Sequence, residues 1–464
     1  MTNNKPIRRG AFSRGLSLSI AGARAGGAFA FDSALRKLRG EEGGNSERLD
    51  REAQRFARSL GELKGSYVKI GQMFALLGEH FLPAPLTTAL HQLESQAQPL
   101  HWRHVEPLLR AALGSRYNEL EIEPHALAAA SLAQVHRARV VATDDAVVVK
   151  VQYPDLADML DEDFDAVVKM LRLARWIPIS QDFDSWLATL RTQLHAEIDY
   201  PREMAIAKKL ASALVKYDAL TVEGVSLSVP TFWSRYSGNQ WLTMDYVPGF
   251  QAGSPEVAAL PQGRRNALGR LMLELFFVEI FELGFMQSDP NFGNYLISAE
   301  GAQLTLLDFG SVMTLDESVQ AALCDTIVAG HCNDDPGLLS GLQRLGCLKD
   351  DAGSHAQETF RTFVVNLLEP LRHPSQLPPE FLNASGEYCW GRSALLNRTG
   401  RHVAKSVASR QFTIPSADFA LVARKLTGVF TFIAVLNAEF NAYDVIAPYL
   451  KRKAPKKQRR GRRA

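Results

Sequence analysis

The arrangement DPNFGN followed by LLDFG constrains this chain most. Asp289 precedes Asn294 by five residues and Asp308 by nineteen, and the residues leading into Asp308, LTLL, form an apolar run suited to a short buried strand. An acid delivered at a strand end, with a second acid and an amide held upstream, supplies oxygen ligands for a divalent cation that bridges phosphates. Each piece recurs by chance, but order and spacing together do not.

Two further parts lie upstream. VVVKVQYP closes a β-branched run on Lys150, and AEIDYPREMA carries Glu197, Asp199 and Glu203 in a helical pattern that Pro201 should disturb. Phosphoryl-transfer sites of the protein-kinase type need these parts: a strand lysine on the phosphates, a helix glutamate to hold it, a catalytic-loop acid and two metal ligands. A lysine at a strand end is by itself more often a snorkelling surface residue, and an acidic helix face is more often simply solvated. One of the three acids meets Lys150, and the other two need another cation. Ahead of Lys150, AAASLAQVH places Ala128, Ala129, Ala130 and Ser131 where a kinase carries its glycine-rich phosphate loop. Alanine lets backbone amides approach phosphate but does not tolerate positive φ as glycine does, so a small-residue turn between strands is the plain alternative.

The surrounding pattern fits an α+β fold. Residues 49–113 read as helical, with Val68, Gly71, Gln72 and Ala75 on one face and prolines at 83 and 85 ending a helix. Residues 120–123, 134–140 and 146–151 read as an antiparallel meander, with Val135, Ala138 and Val140 facing inward. Helical stretches follow at 156–176 and 184–217, then strands at 226–232 and 240–246. From about residue 255 the chain is mainly helical, interrupted by a strand–turn–strand at 294–308. A lobe of five strands and one major helix, followed by a helical lobe, is the protein-kinase architecture. The expected division is an N-terminal extension (1–48), a helical segment (49–113), a small β-rich N-lobe (114–248), a larger helical C-lobe (249–450) and a tail (451–464).

Charge is uneven along the chain. The last fourteen residues hold nine Lys or Arg and no acid; against a net charge of +2 for the whole chain, this leaves the other 450 residues at −7. Such a tail reads as a solvated end, or as a segment drawn to an anionic surface. Residues 1–31 contain no acid and four arginines, a loose fit to a mitochondrial transit peptide or an interrupted amphipathic helix. Four cysteines without paired spacing suit a reducing compartment, and no apolar run is long enough for a transmembrane span.

These residues resemble the UbiB, or aarF-domain, atypical kinase-like family over about residues 60–447. The most specific mark is KxGQ at Lys69-Ile70-Gly71-Gln72, joined by the alanine-rich loop, QYP after Lys150, and ExD with a following glutamate. QSDPN at 287–291 is similar to the branch associated with mitochondrial coenzyme Q biosynthesis; the commoner bacterial pattern has histidines where this chain has Gln287 and Asn291. Departures are Ala75 where the family usually has serine, and Glu79 as the acid that follows it. The resemblance implies a protein-kinase-like two-lobe fold with a helical KxGQ extension. It pairs Lys150 with Glu203 and Lys69 with Glu197 and Asp199, and it sets Lys69 and Gln72 over a nucleotide cleft whose hinge falls at 242–249. It makes Asp289 the catalytic-loop acid and Asn294 and Asp308 the magnesium ligands. The implied activity is ATP hydrolysis in support of ubiquinone biosynthesis, with a nucleotide-switched scaffold and an atypical protein kinase as alternatives. Implied partners are ATP, Mg2+, quinone-pathway lipid intermediates and biosynthetic enzymes, with peripheral membrane contact and no nucleic acid; oligomeric state stays open. The expected location is the cytoplasm, peripheral at the inner membrane, or the mitochondrial matrix.

Overall fold

The computed structural model describes residues 47–453, apart from 64, 78–81, 83, 92, 94–98, 175, 178–180, 217–219, 349–351, 396–397 and 399–416. The transit-like N-terminus, Glu79, the helix-ending Pro83 and the tail beyond 453 lie outside them. Two compact units emerge: the described residues up to Lys208 with Pro230–Tyr246 and Phe309–Ser311 form the first, and Lys209–Val229, Val247–Asp308 and the described residues from Val312 onward form the second.

In the first unit, helices α1 (Glu47–Leu63), α2 (Ser66–Leu77), α3 (Ala84–His91) and α4 (Trp102–Leu113) precede the strands. The glycine of KxGQ has a packing reason. A Cβ on Gly71 would stand 2.5 Å from Leu93 Cδ1 and 3.3 Å from Leu60 Cδ1, so its absence lets α2 seat closely. Strands β1 (Leu120–Ala129), β2 (Ala133–Val140) and β3 (Ala146–Gln152) form the antiparallel meander that the alternation predicts. On β2 Ala133 is buried at the start of the strand, and from Gln134 on the buried positions are Gln134, His136, Ala138 and Val140, while Val135 is only half-buried. The period of two decides this, and it overrides the hydrophobicity of Val135. His136 is satisfied inside by the Glu123 carbonyl and the Gln134 amide, each at 2.8 Å.

Helix α5 (Leu156–Leu173) follows, and the expected helix at 184–217 is two helices, α6 (Gln181–Ile198) and α7 (Tyr200–Lys216). The break falls at Asp199, because Pro201 has no amide to continue the ladder and is tolerated only in a first turn. After β4 (Thr221–Val222) and β5 (Val225–Ser228) comes β6 (Trp241–Asp245), which pairs with β3 and completes a four-stranded sheet ordered β1-β2-β3-β6. The fifth strand expected for this lobe is absent from that sheet. Instead β5 belongs to the second unit. Behind the first sheet Val105, Leu109 and Leu113 of α4 pack on Val140, Val147, Val149 and Val151.

In the second unit α8 (Gln262–Val278) is buried along most of its length and runs into a π-helical turn, Glu279–Leu283. Strands β7 (Phe285–Gln287), β8 (Tyr295–Ile297), β9 (Gln303–Leu306) and β10 (Val312–Thr314) follow. One sheet is ordered β4-β5-β9-β8, with β5 parallel to β9, and β7 pairs with β10. Helices α9 (Glu317–Cys332), α10 (Asp335–Arg344), α11 (Ser354–Leu367), α12 (Ala417–Val435) and α13 (Tyr443–Lys453) complete it. Among the described residues no helix is long and apolar enough to cross a membrane.

Candidate functional site

Lys150 sits in the middle of β3, paired to Val135 and Leu242, and its side chain reaches Glu203. The ammonium lies 3.1 Å from both Glu203 oxygens, and Glu203 is fully buried in the first turn of α7. Beneath the ammonium, 5.1 Å away, is the ring of the buried Tyr200. Strand alternation puts Gln152 on the same face as Lys150, where its amide donates to the Ile198 carbonyl and pins the end of α6. Glu203 also accepts from the Phe309 amide at 3.4 Å. A buried carboxylate that engages the ammonium with both oxygens fixes the lysine's rotamer.

The remaining acids divide as the break in the helix dictates. Lys69 pairs with Glu197 at 2.6 Å, and that glutamate also accepts the Ser311 hydroxyl. Asp199 was expected beside Lys69; its Oδ1 accepts from the Arg202 amide at 3.0 Å, which makes it a cap for α7. Gln72 donates to the Leu93 carbonyl at 3.1 Å, within the helical segment itself. The alanine-rich stretch is mostly strand: Ala128 and Ala129 pair with Val135 and Gln134, and only Ala130, Ser131 and Leu132 make the turn. None of Ala128, Ala129, Ala130 and Ser131 is among the positive-φ positions, so alanine meets the backbone demand without strain.

In the second unit the register of β8 against β9 pairs Tyr295 with Leu306, and the Leu307 amide donates to the Asn294 carbonyl at 2.9 Å. Asn294 and Asp308 therefore end neighbouring strands. The Asn294 amide nitrogen donates to the Asp289 carbonyl at 3.4 Å and to Asp289 Oδ2 at 3.3 Å. Those bonds use the nitrogen and leave the Asn294 side-chain oxygen as an acceptor. Among the described residues no cluster of three His, Cys, Asp or Glu forms a cation cage. A magnesium ion sharing its shell with phosphate and water needs only one or two protein ligands, and the oxygens of Asp308 and Asn294 fit that donor set.

Sequence reasoning missed α12. Arg424 Nη2 lies 3.0 Å from Asp289 Oδ1. Next to it, Lys425 is buried and donates to Gln287 Oε1 at 3.1 Å and the Tyr295 hydroxyl at 3.0 Å, with Glu279 at 3.6 Å. Gln287 passes this on: its Nε2 donates to the Asp289 carbonyl at 2.6 Å, and its own amide donates to Glu279. Burial works against the Lys425 charge, but Glu279 and Tyr295 outweigh it and raise its pKa. A Cβ on Gly428 would stand 2.0 Å from Pro290 Cβ, so one turn beyond Arg424 the same helix backs directly onto the loop between Asp289 and Asn294. The only available signal was the i, i+1, i+4 spacing of these three residues in ARKLTGVF, more than a hundred residues downstream of the motifs.

Residues 92–339, more than half of the chain, match the ABC1 atypical kinase-like domain. The chain belongs to this family. Members with similar sequences include the atypical kinase COQ8, mitochondrial, of Schizosaccharomyces pombe, 27% identical over 87% of this chain and 63% of that protein. The Saccharomyces cerevisiae COQ8, also named mitochondrial, is 27% identical over 70% of this chain and 63% of its own length. The chain thus spans somewhat under two thirds of these relatives. Among solved structures, Rv3197 from Mycobacterium tuberculosis, in complex with erythromycin, has a TM-score of 0.57 at 22% identity and covers 86% of this chain and 96% of its own. That likeness concerns the fold, an α+β, protein-kinase-like fold of two lobes. The ABC1 match agrees with the family resemblance carried by KxGQ, the alanine-rich loop, QYP and ExD.

Proposed function

We propose that this chain binds magnesium-ATP and hydrolyses it slowly, in support of ubiquinone (coenzyme Q) biosynthesis at a membrane surface. The observation that carries this reading is the Lys150–Glu203 pair. Both carboxylate oxygens engage the ammonium at 3.1 Å, with Glu203 fully buried and also bonded to the amide that follows Asp308. A lysine kept only for solubility needs no such support. In this reading Lys150 grips the nucleotide phosphates, with the backbone amides around Ala130 and Ser131 beside them. Asp308 and the Asn294 side-chain oxygen hold magnesium. Bound there, the cation would neutralise phosphate charge as it builds toward the transition state. Asp289 orients the attacking water. The KxGQ helix is tied through Lys69 to Glu197 in the same unit as Lys150, which favours water over a bulky peptide hydroxyl as acceptor. Quinone-pathway lipids and biosynthetic enzymes are the proposed partners, at the inner bacterial membrane or in the mitochondrial matrix.

A second reading, a scaffold switched by nucleotide occupancy with negligible turnover, has one observation in its favour. Both oxygens of Asp289 already carry a hydrogen-bond donor, from Arg424 and from Asn294. Ubiquinone measured in a strain lacking the gene separates the two. Rescue by wild type and loss of rescue with Asp289→Asn supports hydrolysis, whereas equal rescue by both supports the switch.

A further inference from the structure

Three consecutive residues after Asp308 are each held by a residue from the junction of α6 and α7. The Phe309 amide donates to Glu203 at 3.4 Å, the Gly310 carbonyl accepts from Arg202 Nη1 at 3.1 Å, and the Ser311 hydroxyl donates to Glu197 Oε1. The order is reversed along the two segments, so the contacts form a ladder of side chains and not one chance bond. The same Glu197 Oε1 takes the Lys69 ammonium at 2.6 Å. Lys69 and Glu197 are each about one-sixth exposed, which keeps their interaction from being screened away. A protein-kinase-type site does not itself require a hydroxyl at the position of Ser311.

We propose that Ser311 is a positioning residue. It joins the segment carrying Asp308 to the Lys69–Glu197 pair, so that docking of the KxGQ helix and placement of the metal-binding aspartate are coupled. The chemistry is a shared acceptor. With Lys69 on Glu197 Oε1, the oxygen is fixed where Ser311 reaches it, and with Ser311 in place the carboxylate cannot swing from the lysine without losing a second donor. Arg202 and Glu203 hold the two residues between, so motion at Ser311 is transmitted to Asp308 through two restrained peptides. Coupling of this kind is reciprocal, so loosening either end loosens the other. The KxGQ helix is also fastened at its start, where the Ser66 hydroxyl donates to the buried Asp163; the Lys69 end is the one linked to Asp308.

The test compares Ser311→Ala with Ser311→Thr, which keeps a hydroxyl. Hydrogen exchange is followed across residues 66–77 in the full chain without nucleotide, and magnesium is titrated at fixed ATP by thermal shift. Loss of one charge-assisted bond predicts that Ser311→Ala exchanges about ten-fold faster in 66–77 and needs about ten-fold more magnesium for half-saturation. ATP binding without magnesium changes less than about two-fold in the same variant, and Ser311→Thr restores both quantities. Unchanged exchange in 66–77, or no rescue by threonine, overturns the coupling. The magnesium arm rests on the nucleotide reading, whereas the exchange arm does not. Absence of any magnesium-ATP shift in wild type would therefore remove that reading and leave the exchange result to decide on Ser311.

Discussion

Arg424 Nη2 lies 3.0 Å from Asp289 Oδ1, which ties the acid of DPNFGN to a helix 135 residues further along the chain. Asn294 holds the other oxygen at 3.3 Å, so the carboxylate is fixed at both ends. A loose phosphoryl-transfer transition state asks an acid for placement more than for proton abstraction. Replacing Arg424 with glutamine should therefore lower ATP turnover by about ten-fold or more, with KM for ATP changed less than about two-fold, as expected for a charge-assisted bond. Steady-state kinetics on the purified variant gives both numbers.

Beneath that contact, the Lys425–Glu279 pair is a question of stability. Both groups are buried; Gln287 and Tyr295 accept from Lys425, the Gln287 backbone amide donates to Glu279 Oε1, and Glu279 Oε2 faces the ammonium at 3.6 Å with no hydrogen bond of its own among the described residues. Removing one partner strands the other, so Lys425→Met and Glu279→Gln should each cost about 3–5 kcal/mol. The double variant should cost clearly less than the two together, because no charge is left unpaired. Chemical unfolding of the three variants measures this, and the second unit is where the early transition should appear.

Gly428 makes a steric prediction. A methyl group there would sit 2.0 Å from Pro290 Cβ, a separation no real contact shows, so the loop between Asp289 and Asn294 must move. Gly428→Ala should reduce turnover by about ten-fold while lowering stability by only about 1–3 kcal/mol, the usual range for overpacking. A helix-propensity gain at an interior glycine works in the opposite direction and is smaller, about 1 kcal/mol.

How much of this was readable beforehand depends on range. Lys150, Glu203, Asp289, Asn294 and Asp308 stood in local patterns of strand, helix and spacing, and the structure brings Lys150 to Glu203 and Asn294 to Asp289. The meander was legible because alternation has a fixed period. Its inward face was misread at Val135 because hydrophobicity was weighed above that period, and His136 is buried instead. The strand at Val225–Ser228 was assigned to the wrong sheet, since a four-residue run says nothing about which edge it joins, and it pairs with Gln303–Leu306. Asp199 looked like a second partner for Lys69, but capping α7 claimed it once Pro201 had ended the preceding helix. Arg424, Lys425 and Gly428 had no local signature, because their partners are far away in sequence.

For the strand lysine, Glu203→Gln keeps the shape and removes the charge. Lys150→Met removes the donor. Each should abolish ATP-induced stabilisation, and the double variant should be no worse than either, because the two act as one unit. Isothermal titration with ATP at fixed magnesium checks the non-additivity.

The central claim is that Asp308 binds the cation through which ATP is held. Thermal unfolding of wild type and Asp308→Asn, each with and without magnesium-ATP, tests it most directly. A ligand at a hundred times its Kd stabilises by about 2.7 kcal/mol, a shift of a few degrees in a chain of this size. The account predicts that shift in wild type and little of it in Asp308→Asn. Equal shifts in both proteins would contradict it.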